Sequence, residues 1–127
     1  MTETAARRVY VIDDDRDVLA SAAFLLPALG YECVTFSAPE EFLGRVGELP
    51  CGCVLTDLRM PVMDGFALAK RILELGLDWP VLMMTSDNGE NLSRRASKSG
   101  ISAILHKPVD ANLLADALSA AFGRCEA

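Results

Sequence analysis

The first apolar run of the chain is Val9-Tyr-Val-Ile12, and three aspartates, Asp13-Asp14-Asp15, follow it at once. The run is short, unbroken and rich in β-branched and aromatic residues, which predicts a strand buried on both faces. Apolar residues at helical spacing then extend from Asp17 to Leu29, with Pro27 in the last turn and Gly30 as a stop signal. A buried strand followed by an amphipathic helix predicts an alternating α/β fold.

The same alternation continues to the end of the chain. Further strands are predicted at Glu32–Phe36, Cys53–Thr56, Val81–Met84 and Ala103–Leu105. Further helices are predicted at about Ala38–Val46 behind a Ser37-Ala-Pro-Glu40 capping box, from Asp64 to about Leu75, from Asn88 to about Ser99, and onward from Asp110. Leu73 and Leu113 are among the residues expected to anchor the third and last helices. Five strands that alternate with five helices predict a doubly wound parallel sheet covered on both faces.

Composition narrows the classes of function. The 127 residues suit one domain, and twelve Lys and Arg against eighteen Asp and Glu give a net charge of −6. Because that charge repels a phosphate backbone, direct binding of nucleic acid is not expected. No apolar run approaches the roughly 18 residues that span a bilayer, and residues 1–8 lack the apolar core of a signal peptide. We therefore expect a cytoplasmic protein with no membrane partner.

A parallel sheet also predicts where functional side chains meet, because ligand sites of such sheets lie at the carboxyl ends of the strands. Four of the predicted strands lead into polar residues. These are Asp13, Asp14 and Asp15 after the first strand, Asp57 after the third, Thr85 and Ser86 at the end of the fourth, and His106 and Lys107 after the fifth. We expect acids, a hydroxyl and an ammonium group to share one crevice.

The expected chemistry follows from these residue types. Two carboxylates 4 Å apart repel each other by about 4 kcal/mol at an effective dielectric constant near 20. A hard dication relieves that repulsion, and ligation by oxygen alone favours Mg²⁺ or Mn²⁺. Asp57 can then attack phosphorus as a carboxylate nucleophile, while Lys107 pairs with the phosphoryl charge and Thr85 donates a hydrogen bond to it.

Four motifs resemble the receiver domain of bacterial two-component response regulators. They are Val11-Ile-Asp-Asp-Asp15, Leu55-Thr-Asp-Leu-Arg-Met-Pro-Val-Met-Asp-Gly65, Met84-Thr-Ser86 and Leu105-His-Lys-Pro-Val109. The resemblance implies a single receiver domain over residues 1–127, with its core at about residues 8–122. It also implies a flavodoxin-like fold with strand order 2-1-3-4-5.

The resemblance further implies a role for each site residue. Asp57 is the expected phosphoacceptor, taking phosphate from a histidine kinase or a histidine phosphotransfer protein. Asp13, Asp14, Asp57 and the backbone carbonyl of Arg59 are the expected ligands of Mg²⁺. Thr85 and Lys107 are expected to act as the switch hydroxyl and the phosphate-pairing lysine.

One position departs from the family pattern. Family members usually carry Tyr or Phe three residues before the lysine, and Ile104 stands there in this chain. The resemblance implies that phosphorylation switches the face formed by the fourth helix, fifth strand and fifth helix. In the family an aromatic ring at this position turns inward during the switch, and Ile104 has no ring, so its part in the switch must differ. Implied partners of that face are an effector domain or protein, or a second phosphorylated copy. The resemblance implies a signalling domain and not a turnover enzyme.

Two alternatives stay open. A Mg²⁺-dependent phosphatase similar to the haloacid dehalogenases would use Asp13 as nucleophile, with Asp15, Thr85 and Lys107 in support, but it leaves Asp57 unexplained. A degenerate receiver would bind partners without being phosphorylated.

Overall fold

A computed structural model of the chain describes residues 7–126 apart from 88 and 90. Within these residues five strands alternate with five α-helices, and a short 3₁₀ turn at Val46–Glu48 follows the second helix. The strands are β1 (Arg8–Ile12), β2 (Glu32–Phe36), β3 (Cys53–Asp57), β4 (Val81–Thr85) and β5 (Ala103–His106). The helices are α1 (Arg16–Ala28), α2 (Pro39–Arg45), α3 (Gly65–Glu74), α4 (Leu92–Lys98) and α5 (Ala111–Glu126).

The strands form one parallel sheet in the order β2-β1-β3-β4-β5. This confirms the predicted fold class, including the strand order. The winding direction reverses between β2 and β3, which makes β1 and β3 neighbours and opens a crevice at their carboxyl ends. Asp57 is in register with Met84, and Thr85 with His106, so the ends of three strands lie level at that edge.

The sheet is covered by apolar clusters on both faces. Val9–Ile12 and all residues of β3 and β4 are buried, as their unbroken apolar runs predict. Tyr10 packs on the face covered by α2, α3 and α4, where its ring stacks on Trp79 at 5.6 Å. Its hydroxyl donates a 2.6 Å hydrogen bond to the Pro50 carbonyl, so this buried polar atom is satisfied. The other face is covered by α1 and α5.

Helix α2 differs from the prediction at its start. It begins at Pro39, and Ala38 occupies the cap position without a side-chain hydrogen bond. The Ser37 hydroxyl instead donates to the Glu41 carboxylate at 2.7 Å. The predicted capping box is therefore wrong, because the cap position belongs to Ala38, whose side chain has no oxygen that could accept from a backbone N–H. Proline as the first helical residue also removes one N–H that would need a cap.

Two further predictions need correction. Helix α4 begins at Leu92, several residues later than predicted, and Asn88 lies outside the described residues. Leu73 and Leu113 are 54% and 61% exposed. Leu73 follows the buried Ile72, and Leu113 precedes the buried Leu114. Because adjacent residues of a helix point about 100° apart, only one residue of each pair faces the sheet.

None of the described helices is both long and apolar enough to cross a membrane.

Candidate functional site

The three aspartates after β1 have different surroundings. Asp13 is fully buried, and its Oδ1 accepts a 2.9 Å hydrogen bond from the backbone N–H of Asp15. Its own N–H donates to the Phe36 carbonyl, which joins the end of β1 to the end of β2. Asp15 is exposed and caps α1 by accepting from the N–H of Asp17 at 2.9 Å. Asp14, between them, is exposed at the mouth of the crevice.

The end of β3 holds Asp57 through a tight loop. The Leu58 N–H donates to the Met84 carbonyl, and the Gly65 N–H donates to the Leu58 carbonyl at 2.8 Å. A Cβ atom on Gly65 would lie only 2.7 Å from the backbone oxygen of Asp57. Glycine at this position therefore lets the loop fold back against the backbone of Asp57, which leaves 9% of that residue exposed.

The residue after β5 supplies the cation. Lys107 Nζ lies 3.1 Å from Asp57 Oδ1 and 3.6 Å from Asp13 Oδ2. The Lys107 N–H donates to the Thr85 carbonyl at 2.8 Å, and the Lys107–Pro108 peptide is cis. Burial lowers the pKa of Lys107, but its hydrogen bond to Asp57 and the charges of Asp13 and Asp57 outweigh burial, so the pKa lies above its ordinary value. Lys107 is therefore charged at neutral pH.

The carboxylates are closely grouped. Ligand oxygens of Asp13, Asp14 and Asp57 lie within 4.8 Å of one another. Among the described residues, Asp13 Oδ2 has no hydrogen-bond partner although it is buried. Burial raises the pKa of Asp13, and the charges of Asp57 and Asp14 raise it further, against the hydrogen bond from Asp15 and the charge of Lys107. One lysine cannot neutralise three carboxylates, so the residues present fit a hard dication with oxygen ligands.

Replacing Asp13 by asparagine is expected to raise the free energy of unfolding of the metal-free protein at pH 7 by about 1–3 kcal/mol. The pKa of Asp13 is higher in the folded chain than in the unfolded chain, so the folded chain binds a proton at this carboxyl group more readily. Above the folded pKa, the ionised Asp13 therefore lowers the free energy of unfolding. The gain should shrink as the pH falls from that raised pKa toward the ordinary value of 3.8. Urea unfolding between pH 4 and pH 8 measures it. The same substitution at an exposed aspartate, Asp17→Asn, should give no gain. A wild type as stable as Asp13→Asn at pH 7 would contradict the expectation.

Thr85 links the site to the loop after β4. The side chain is buried, and its hydroxyl oxygen accepts a 3.0 Å hydrogen bond from the N–H of Asp87. The Asp87 carboxylate forms an ion pair with Arg59. This pair joins the loops after β3 and β4 above the crevice, and it was not predicted from the sequence. The signal was available: Arg59 and Asp87 have opposite charges, and each follows a site residue, Asp57 or Thr85, by two positions on neighbouring strands.

The remaining predicted residues lie around this centre. Ile104 is half-buried in β5 and packs against the cluster that includes Phe66 and Ile101. His106 is exposed at the end of β5. The structure thus brings Asp13, Asp14, Asp57 and Lys107 into one crevice, with Thr85 at the end of the adjoining strand. Asp15, Ile104 and His106 lie outside this group.

A groove beside the crevice was not predicted. It has a volume of about 570 Å³ and runs between α1 and the loop that leads into α5. Its walls are apolar, with Val18, Leu25 and Val109 among them, and Lys107 lies at the wall it shares with the crevice. No sequence pattern indicates this groove, because the helical spacing of Val18 and Leu25 predicts that they are buried and only the structure shows them half-exposed.

Comparison with known proteins shows which family has this arrangement. The family model described as "Response regulator receiver domain" matches residues 9–119. The transcriptional regulatory protein FixJ of Bradyrhizobium diazoefficiens is 34% identical over 123 residues, which are 97% of this chain and 60% of that protein. The response regulator protein TmoT of Ectopseudomonas mendocina is 33% identical over 79% of this chain and 46% of its own length. The chain therefore spans about half the length of these curated relatives.

A solved structure shares the fold closely. The crystal structure of full-length FixJ from B. japonicum aligns with a TM-score of 0.89 and 34% identity, over 97% of this chain and 61% of that one. This chain thus corresponds to about three fifths of that longer protein.

Proposed function

The chain belongs to the response regulator receiver domain family, whose members act as signalling domains, and from that premise we propose that Asp57 is its phosphoacceptor. One observation carries the proposal: Asp57 is the partly exposed carboxylate of the cluster that is paired at 3.1 Å with a charged lysine. A phosphoryl group arriving at this oxygen meets a cation that is already in place. The proposed domain spans residues 1–127, with its core at about residues 8–122.

The proposed reaction is a phosphoryl transfer from a phosphohistidine. An Asp57 carboxylate oxygen attacks phosphorus, the new P–O bond forms, and the P–N bond breaks with its electron pair left on the imidazole nitrogen. Lys107 moves its ion pair from the carboxylate to the transferred group, and the Thr85 hydroxyl donates a hydrogen bond to a phosphoryl oxygen. The product is a mixed anhydride at Asp57.

Members of this family bind Mg²⁺ in the acidic pocket, and we propose that Asp13, Asp14, Asp57 and the Arg59 backbone carbonyl hold it here, with Mn²⁺ as an equivalent. When bound, the dication neutralises the carboxylates and favours phosphoryl oxygens nearby. The chain's own contribution is to hold Asp13 in place through Asp15 and to leave one buried oxygen of Asp13 without a hydrogen-bond partner among the described residues.

The groove between α1 and the β5–α5 loop is the proposed docking place of the phosphodonor. A donor histidine must approach Asp57 from a surface that shares a wall with the crevice, and Lys107 lines both. The outer side of α1 adds an apolar contact, since Phe24 is 83% exposed. A histidine kinase or histidine phosphotransfer protein presenting its histidine on a helix matches an elongated apolar groove of this kind.

The proposed output begins at Thr85. Turning its hydroxyl toward a phosphoryl group removes the acceptor of the Asp87 N–H, which frees the loop that is tied to Arg59. Shifting the ratio of the active to the inactive conformation from 1:99 to 99:1 needs about 5.5 kcal/mol of differential stabilisation. A few charge-assisted hydrogen bonds of ~1.5–3 kcal/mol each supply it. The face of α4, β5 and α5 then changes its affinity for an effector domain, an effector protein or a second copy. Ile104 repacks within its apolar cluster by a smaller shift than a ring would need.

The geometry disfavours the phosphatase alternative. Asp13 is fully buried and one of its oxygens is occupied by the Asp15 N–H, so it is poorly placed to attack a substrate. Asp15, the second acid of that scheme, is exposed and caps α1. The degenerate-receiver alternative would require a missing site residue, whereas Asp57, Thr85 and Lys107 are all present.

Incubation with Mg²⁺ and acetyl phosphate tests the proposal. Intact-mass spectrometry should show an increase by the mass of one phosphoryl group in the wild type and no increase in Asp57→Asn. Asp110→Asn, which alters an acid that only caps α5, is the matched control and should be phosphorylated like the wild type. An unchanged wild-type mass, or equal phosphorylation of Asp57→Asn, would exclude Asp57 as the acceptor.

A further inference from the structure

Helix α4 stands out by its charge. Its seven residues contain three cations and no carboxylate, hence a charge of +3, in a chain whose net charge is −6. No other described helix exceeds +1. The side chains of Arg94, Arg95 and Lys98 are exposed, and the ion pairs among the described residues include none of them. Helix α4 therefore offers a partner a positive surface that no ion pair among the described residues neutralises.

A cavity adjoins this helix on the side of α3. It has a volume of about 410 Å³ and lies between α4 and the loop after β3. Half of its eight lining residues are apolar, namely Leu58, Met60, Pro61 and Leu92, and the other half are charged. A hydrophobic side chain can contact the apolar half next to the positive helix.

Arg95 belongs to both the cavity and the charged helix. Its guanidinium lies over the Phe66 ring at 4.2 Å from the centroid, which holds the cation at the wall of the cavity. The two acids that also line the cavity are engaged elsewhere: Asp64 caps α3, and Asp87 pairs with Arg59. Arg95 is thus the cavity cation that no described carboxylate neutralises.

We propose that α4 and this cavity form a docking surface for an acidic protein segment that carries an apolar side chain. The apolar side chain occupies the cavity, one flanking carboxylate pairs with Arg95, and others pair with Arg94 and Lys98, which lie four residues apart on one side of the helix. A protein segment fits better than a nucleic acid, because four of the residues that line the cavity are apolar and the chain as a whole is acidic. The proposal does not depend on Asp57 as phosphoacceptor.

Fluorescence anisotropy with the unphosphorylated, metal-free full chain tests the proposal. The probe is a fluorescein-labelled peptide of alternating glutamate and leucine residues. We expect it to bind the wild type and to lose affinity at least about tenfold in the double variant Arg94→Glu/Lys98→Glu. The matched control Arg16→Glu/Arg45→Glu changes the net charge equally on α1 and α2 and should bind like the wild type.

Two further probes identify what is recognised. A peptide with serine in place of leucine should bind at least several-fold more weakly, because it leaves the cavity empty. A labelled DNA duplex should bind more weakly than the glutamate–leucine peptide. The proposal is overturned if that peptide does not bind, if both double variants lose affinity equally, if the serine peptide binds as tightly, or if DNA binds more tightly. Thermal unfolding of each variant confirms that it is folded before its affinity is compared.

Discussion

Replacing Lys107 by methionine is expected to lower the free energy of unfolding of the metal-free protein at pH 7 by about 3 kcal/mol. The ammonium group is 3.1 Å from Asp57 and 3.6 Å from Asp13, and both carboxylates are largely withdrawn from water. Methionine keeps the apolar stem but leaves both acids without their cation. Because the folded pKa of Lys107 is raised, its stabilising effect is fully present below the ordinary value of 10.5 and is lost as the pH rises through the folded pKa.

Urea unfolding with a chelator present measures this effect. Lys70→Met, which removes an exposed lysine from α3, is the matched control and should change stability by less than about 0.5 kcal/mol. Adding Asp13→Asn to Lys107→Met should recover part of the loss, because one of the two unpaired carboxylates is then neutral. Equal stability of Lys107→Met and wild type would mean that Lys107 does not neutralise the cluster.

Magnesium is expected to stabilise the folded chain by about 2.7 kcal/mol when its concentration is one hundred times the dissociation constant. The reason is the same excess of negative charge: three carboxylates within 4.8 Å face one lysine. Asp14→Asn should remove most of the response. Asp14 is exposed, so its replacement should leave the stability of the metal-free protein almost unchanged. Thermal unfolding with increasing Mg²⁺ at constant ionic strength measures the response.

Asp17→Asn is the control for this second experiment. Asp17 is an exposed aspartate three residues further on, outside the carboxylate cluster, so its variant should respond to Mg²⁺ like the wild type. If Mg²⁺ does not stabilise the wild type against thermal unfolding, or if it stabilises Asp14→Asn as much as the wild type, these carboxylates do not form the metal site.

The main features of the fold were predictable because they depend on patterns that tertiary packing cannot easily override. Unbroken apolar runs such as Val81–Met84 become fully buried strands, and Asp64 and Asp110 cap the helices that follow them. The capping of α2 was not predictable in the same way. The Ser37-Ala-Pro-Glu40 pattern fits a cap at Ser37, whereas the helix begins at Pro39 with Ala38 at the cap position.

The site was predictable to the extent that it lies at strand ends. A parallel sheet brings Asp13, Asp57 and Lys107 to one edge whatever the details of the loops, and the structure shows them there. Contacts that depend on loop paths were missed, namely the Arg59–Asp87 pair and the Arg95–Phe66 contact. Neither strand register nor helix periodicity determines how two loops or two helices meet, so the charged cavity beside α4 became visible only in three dimensions.

Locating the phosphoryl group tests the central claim most directly. After incubation with Mg²⁺ and acetyl phosphate, sodium borohydride reduces an aspartyl phosphate to homoserine, and tandem mass spectrometry of the peptides locates it. The account predicts homoserine at position 57 alone. Homoserine in place of Asp13, or a phosphate that resists borohydride on Thr85 or Ser86, would contradict it.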